Sequence, residues 1–269
     1  MKYILKTNKL LINPTQNPNQ AFIYTGSPNK GQKDKGKLII ILDFPEETDN
    51  TRELGNILIQ KIHKLYYESS LVDQETILEN ILEESNENLP LLTKIDNTWL
   101  KKFSAIIAII YKQETYFSPV GNVSAWVANG NELINVFDYL ESNDIDKPSV
   151  DRIFTNILSG NIEKKQTLIF ATNSIFDYVS KDNLEKLALK NDPSGINIKL
   201  KELLFKIENR SFCSVSIKLM PYDEEQKTDE SVSMKLEAIE EPENNKTKKV
   251  LKMAFKTLKT MRKMKKKKR

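Results

Sequence analysis

The sequence predicts an α+β protein in which packed sheets carry helices on their outer sides. Three observations predict this. Short, β-branched, strand-like runs occur in groups. Amphipathic helical patterns fall between those groups, often in pairs. The resulting order is not a regular βαβ repeat. Only eight glycines are present, and none forms a GxGxxG or P-loop pattern, which argues against a nucleotide-binding loop.

The elements follow in order. Lys37–Leu42 (KLIIIL) reads as a buried strand bounded by Gly36 and Pro45. Asn50 can cap the next helix, with Glu53 as its capping-box partner and Leu54, Ile57, Leu58, Ile62, Leu65 and Tyr66 on the apolar face. A second helix spans about 73–88, with Ile77, Leu78, Ile81 and Leu82 inward. Strands are expected over 103–111, 115–121 and 124–128. Asn129-Gly130 signals a type I′ hairpin leading into Leu133–Phe137. Pro148 opens a helix that Gly160 closes. Thr167–Ala171 is another buried strand, two helices follow over 181–190 and 197–206, and Phe212–Leu219 is the last strand.

Composition narrows the chemistry. The 269 residues are 39% hydrophobic and 29% charged, enough for a core beneath a well-solvated surface. The single cysteine, Cys213, excludes an intramolecular disulfide and a Cys-rich metal site, and its apolar surroundings suggest a buried, inert thiol. The single histidine, His63, lies between Lys61 and Lys64 and reads as a solvated surface residue, so His-pair metal sites are excluded. Lys6 and Lys9 interrupt the N-terminal apolar residues, so no signal-peptide core forms. No run approaches the roughly 18 apolar residues of a membrane span. A cytoplasmic location is the expectation, with peripheral membrane attachment as an option.

Charge divides the chain into three zones: a nearly neutral body (1–222), an acidic linker (223–245) and a basic tail (246–269). The tail holds 13 Lys or Arg and no acid, against a whole-chain net charge of +4. Leu251, Ala254, Phe255, Leu258, Met261 and Met264 recur at helical spacing. Between and after them stand Lys252, Lys256, Lys259, Arg262, Lys263, Lys265, Lys266, Lys267, Lys268 and Arg269. This basic C-terminal helix suits an anionic membrane or a polyanion such as nucleic acid. It equally suits a solvated tail, or one folded back on the acidic linker or the body.

The motif order resembles that of the metal-dependent type 2C (PPM) protein phosphatases over roughly residues 10–222. The family's opening Arg and its Asn-Gln/Glu-Asp motif meet Gln16-Asn17-Pro18-Asn19-Gln20-Ala21-Phe22. Asp-Gly-His-Gly meets Asp43-Phe44-Pro45 at the end of a strand, and Gly-Asp-Ser-Arg meets Gly121-Asn122-Val123-Ser124. Ala-Ser-Asp-Gly-Leu-x-Asp meets Ala171-Thr172-Asn173-Ser174-Ile175-Phe176-Asp177, and the closing Asp-Asn-x-Thr meets Glu208-Asn209-Arg210-Ser211. The resemblance implies a phosphatase-like sandwich of two packed antiparallel sheets flanked by helices.

It also implies two Mg²⁺ or Mn²⁺ ions held by carboxylates. Carried over, Ala21 cannot ligate, Phe44 replaces the glycine offering its carbonyl, and Asn173 is neutral. Gln16 lacks the charge of the phosphate-binding Arg. Asp43 and Glu208 remain as the anionic candidates, unless Glu46 or Glu47 reaches in, enough for one weak ion at most, and Asp43 also reads as a residue capping a turn. The expectation is therefore no enzymatic activity and no cofactor, with Mg or Mn as the alternative. The expected function is a non-catalytic, regulatory phosphatase-like module (a pseudophosphatase) that binds a protein partner such as a phosphoprotein. The alternatives are a weak metal-dependent serine/threonine phosphatase, or a nucleic-acid-associated protein acting through the tail.

Overall fold

In a computed structural model of the chain, the structure describes residues 3–13, 20–44, 49–92, 98–139 and 152–221. Ten strands make two five-stranded antiparallel sheets. The first contains β1 (Tyr3–Ile12), β10 (Phe212–Pro221), β9 (Thr167–Thr172), β6 (Val123–Ala128) and β7 (Leu133–Asn135), in that spatial order. The second contains β2 (Gln20–Gly26), β3 (Lys37–Phe44), β4 (Ser104–Tyr111), β5 (Glu114–Val120) and β8 (Leu158–Asn161). Helices α1 (Asp49–Tyr67) and α2 (Gln74–Leu92) belong to the second sheet's outer side. Helices α3 (Lys181–Lys190) and α4 (Pro193–Leu204) cover the first sheet. The result is the four-layer αββα sandwich expected from the sequence.

Strand period explains the layering. Successive side chains of a strand point to opposite faces. In β3, Leu38, Ile40, Leu42 and Phe44 pack under α1 and α2, while Ile39 and Ile41 enter the layer between the sheets. β4 divides in the same way, with Ile107 and Ile109 on one side and Ile106 and Ile110 on the other. Central strands buried on both faces must be apolar throughout, which is why these two runs stand out in the sequence. In β10, Cys213, Val215 and Ile217 face the inter-sheet layer. Ser214 and Ser216 on its other face each donate to Asn197 Oδ1 of α4 at 3.3 Å.

Several expectations are corrected. The part of the expected Pro148–Gly160 helix that is described, 152–160, is not helical: Leu158–Asn161 is β8, paired with β5, and Gly160 lies within it. The stretch ahead of β8 is held by a side chain rather than by helical hydrogen bonds. Asn86 Oδ1 accepts from the Ile153 and Phe154 amides at 2.9 Å each, and Asn86 Nδ2 donates to the Phe154 carbonyl at 2.6 Å. The β6–β7 hairpin is not a type I′ turn. Ala128 pairs with Leu133, which leaves a four-residue loop, and only Gly130 of the Asn129-Gly130 pair has positive φ. Asn50 lies inside α1 rather than ahead of it. Strands β1 and β2 were not anticipated at all. The expected linker and tail, with Lys252 through Arg269, lie outside the described residues.

Candidate functional site

One end of the sandwich gathers the C-terminal ends of β1, β3 and β9 and the N-terminal ends of β2, β6 and β10. Most of the motif positions singled out in the sequence fall here. Ala21 and Asp43 are direct register partners on β2 and β3. Asp43 closes the apolar run of β3, and Ser211, just ahead of β10, donates its hydroxyl hydrogen to Asp43 Oδ1 at 2.7 Å. That bond reaches from one sheet to the other.

Asp43 is the electrostatic centre of this end. Burial pushes its carboxyl from an ordinary 3.8 up to about 6, against the opposing pull of the Ser211 hydrogen bond and the Arg210 guanidinium. Arg210 itself pairs with Asp177 at 3.4 Å, with both side chains about half exposed. Cys213 is fully buried, and burial followed by the Asp43 charge pushes its thiol up, in keeping with an inert cysteine. His63 is exposed on α1 and packs against the rings of Tyr24 and Tyr67.

The remaining positions are arranged as follows. Ala21 is buried, and its backbone N–H and carbonyl are both bonded by the Asn13 side chain, at 2.9 and 3.0 Å. Phe44 is fully buried against Phe22, Trp99 and Phe103, so its side chain serves the core. Asn173 donates through Nδ2 to Asn122 Oδ1 at 2.8 Å, and its backbone N–H donates to the Asn122 carbonyl at 3.0 Å. Glu208 is exposed, two residues ahead of Arg210, and no hydrogen bond or ion pair joins it to Asp43 among the described residues. Gln16 lies outside the described residues.

Three features here were missed from sequence. One is Arg210, which brings a fixed cation to the Asp43 carboxylate. Another is the Asn122–Asn173 amide pair. The third is an open cleft of about 550 Å³ lined by residues that include Asn122, Ser124, Trp126, Asn173, Phe176 and Asp177. Asp177 in the cleft wall pairs with Arg210, whose charge acts on Asp43, and a hydrogen-bonded chain outside the lining also ends at Asp43. Thr172 Oγ1 and Ser174 Oγ are bonded at 3.0 Å, Ser174 Oγ donates to the Ser211 carbonyl at 2.9 Å, and Ser211 reaches Asp43.

A pair of divalent ions does not fit the described residues. Two such ions repel and call for several anionic oxygens, yet no group of three or more His, Cys, Asp or Glu side chains is found among the described residues. A single ion is a lesser demand. Mg²⁺ retains several waters and is commonly held by one or two carboxylates. Asp43 supplies one such carboxylate, and among the described residues its Oδ2 has no hydrogen-bond partner.

No family profile matches the sequence, and no curated protein matches it by sequence. Solved structures do match. A bacterial serine phosphatase superposes with a TM-score of 0.60 at 12% identity, covering 82% of this chain and 99% of that one. The catalytic domain of the serine/threonine protein phosphatase PstP, in complex with two manganese ions, gives 0.59 at 10% identity, covering 82% and 98%. Serine/threonine phosphatase Stp1 from Staphylococcus aureus gives 0.59 at 12%, covering 81% and 96%.

Two expectations are thereby corrected, that of no enzymatic activity and that of no cofactor. The structures this chain matches are serine or serine/threonine phosphatases, and one of them holds manganese. The physical reason is that counting carboxylates at five motif positions leaves out water ligands, which make up much of the coordination of a hard divalent ion. The superpositions span more than four-fifths of the chain and nearly the whole of each matched structure: this protein carries the fold of the metal-dependent type 2C serine/threonine protein phosphatases.

Proposed function

We propose that the chain is a weak metal-dependent serine/threonine protein phosphatase acting on phosphorylated protein segments. The observation that carries this reading is the Asp43 carboxylate, placed at the end of β3 where the two sheets converge. It would anchor one Mg²⁺ or Mn²⁺ ion, with Glu208 as the other anionic candidate. When bound, such an ion supplies a more acidic water and screens phosphoryl charge. Ser211 fixes the rotamer of Asp43 by its 2.7 Å hydrogen bond, leaving one carboxylate oxygen turned away from that bond. Arg210 supplies positive charge beside the carboxylate, and a guanidinium fork suits phosphoryl oxygens. It stands in for the charge that Gln16 lacks.

The test is hydrolysis of an aryl phosphate and a phosphoserine peptide across Mg²⁺ and Mn²⁺ titrations, with Asp43→Ala alongside. Turnover that rises with metal and disappears in Asp43→Ala supports the proposal. Equal rates in both proteins would sink it.

We also propose that the basic tail holds the protein at an anionic surface. Its 13 positive charges without an acid support this reading. Co-sedimentation with phosphatidylserine vesicles should be lost on deletion of 246–269 and should weaken with salt. A tail that prefers duplex DNA to those vesicles would favour the nucleic-acid reading instead.

A further inference from the structure

The cleft whose wall holds Asn122, Asn173 and Asp177 has a composition that the metal site does not explain. Asn122 and Asn173 form an amide pair. Asn122 is held by its backbone N–H to Ser104 Oγ at 3.0 Å, and Asn173 is bonded to Asn122 through both backbone and side chain. Within this pair the Asn122 carboxamide NH₂ and the Asn173 Oδ1 remain unused among the described residues. A donor and an acceptor side by side match the C=O and N–H of a peptide main chain. A phosphate or a cation would use only one of the two.

The neighbouring wall is aromatic. Trp126 and Phe176 lie 5.3 Å apart between ring centroids. Trp126 is only 7% exposed, with its indole nitrogen buried and without an acceptor among the described residues, so the half-buried Phe176 is the more open ring of this wall. The ionised group in the wall, Asp177, is already neutralised by Arg210 at 3.4 Å. A volume of about 550 Å³ lies within the roughly 300–1,000 Å³ of small-ligand sites.

We infer that this cleft binds the polypeptide part of the substrate: an extended segment whose main-chain amide is read by Asn122 and Asn173, and whose apolar or aromatic residue next to the phosphorylated serine or threonine packs on Trp126 and Phe176. The inference rests on the phosphatase reading above for its orientation, because Asp177 of the cleft wall pairs with Arg210, whose charge acts on Asp43. It assigns sequence preference to side chains that do no chemistry.

The test is calorimetric titration of the full chain in EDTA with two heptapeptides. Both carry phosphoserine in a glycine background, and one has phenylalanine immediately after it. The phenylalanine peptide should bind at least tenfold more tightly and should perturb tryptophan emission. The Asn122→Ala, Asn173→Ala double variant should lose at least tenfold in affinity. Phe176→Ala, which removes the half-buried ring of the wall, should lose several-fold and serves if the double variant fails to fold. Equal affinity for the two peptides, or unchanged affinity in a folded variant, would overturn the inference. Because EDTA suppresses turnover, the two readings fail separately. Hydrolysis without cleft-dependent binding ends this one, and cleft-dependent binding without hydrolysis under metal ends the phosphatase reading.

Discussion

Ser211 and Asp43 stand 168 residues apart in the chain, yet the Ser211 hydroxyl reaches Asp43 Oδ1 at 2.7 Å, from the strand-end loop of one sheet to the strand end of the other. Ser211 is almost fully buried. Removing its hydroxyl therefore leaves Asp43 with one fewer donor. Ser211→Ala is expected to lose about 1.5–3 kcal/mol at pH 8, the range for hydrogen bonds to charged groups. It should also raise the Asp43 pKa beyond about 6, because this bond is the larger of the two influences holding it down. Urea denaturation at pH 8 checks the first effect, and side-chain NMR titration of the carboxyl checks the second.

Asp43 itself makes the fold pH-sensitive. Its folded pKa of about 6 lies above the ordinary 3.8, so the folded state holds the proton more tightly than the unfolded chain does. That favourable contribution is complete below pH 3.8 and is lost as pH rises through about 6. The shift corresponds to about 3 kcal/mol of destabilisation above pH 6. Asp43→Asn should therefore be more stable than the natural sequence at pH 8, by up to that amount, and should lose this advantage near pH 4. Paired denaturation curves at the two pH values decide it. The same variant should abolish metal-dependent turnover, which separates the residue's catalytic value from its structural burden.

Gly121 closes the β5–β6 turn with φ +68, and a Cβ there would run into the Phe103 carbonyl. Gly121→Ala should destabilise by roughly 2 kcal/mol or more, since left-handed strain and a backbone clash act together. It should also shift Asn122 and weaken its amide pair with Asn173. Thermal unfolding reads the first effect, and the Asn122 side-chain amide resonances read the second.

Asn86 performs for 152–154 what a paired strand would otherwise do, with one side chain making three backbone hydrogen bonds. Asn86→Ala should accelerate amide exchange of Ile153 and Phe154 by tenfold or more and cost about 1–3 kcal/mol. Exchange in β3 and β4 should slow or quicken only with global stability. An unchanged Ile153 rate would show that packing alone holds the segment.

Legibility followed the pattern of burial. β3, β4 and β9 were readable because strands covered on both faces are near-continuous apolar runs, and β10 because Cys213, Val215, Ile217 and Leu219 keep it apolar on the face toward the other sheet. β1 was not, because it is an edge strand paired only with β10, and Lys6 and Lys9 interrupt its apolar residues. β8 hid behind Gly160 and a helix-like start at Pro148, since its pairing with β5 lies more than forty residues away. At the site, Asp43 was legible from motif order. Arg210, the Asn122–Asn173 pair and the cleft were not, because each depends on distant segments meeting at one end of the sandwich.

The Asn13 side chain, bonded to both backbone groups of Ala21, gives a last consequence. It ties the residue after β1 in one sheet to β2 in the other, a short distance from the Ser211–Asp43 bond. Two stitches therefore lace the same edge of the sandwich, as a binding holds the spine of a book. Under a pulling force that separates the layers, the pages should part first at the far edge, and the spine should give way last.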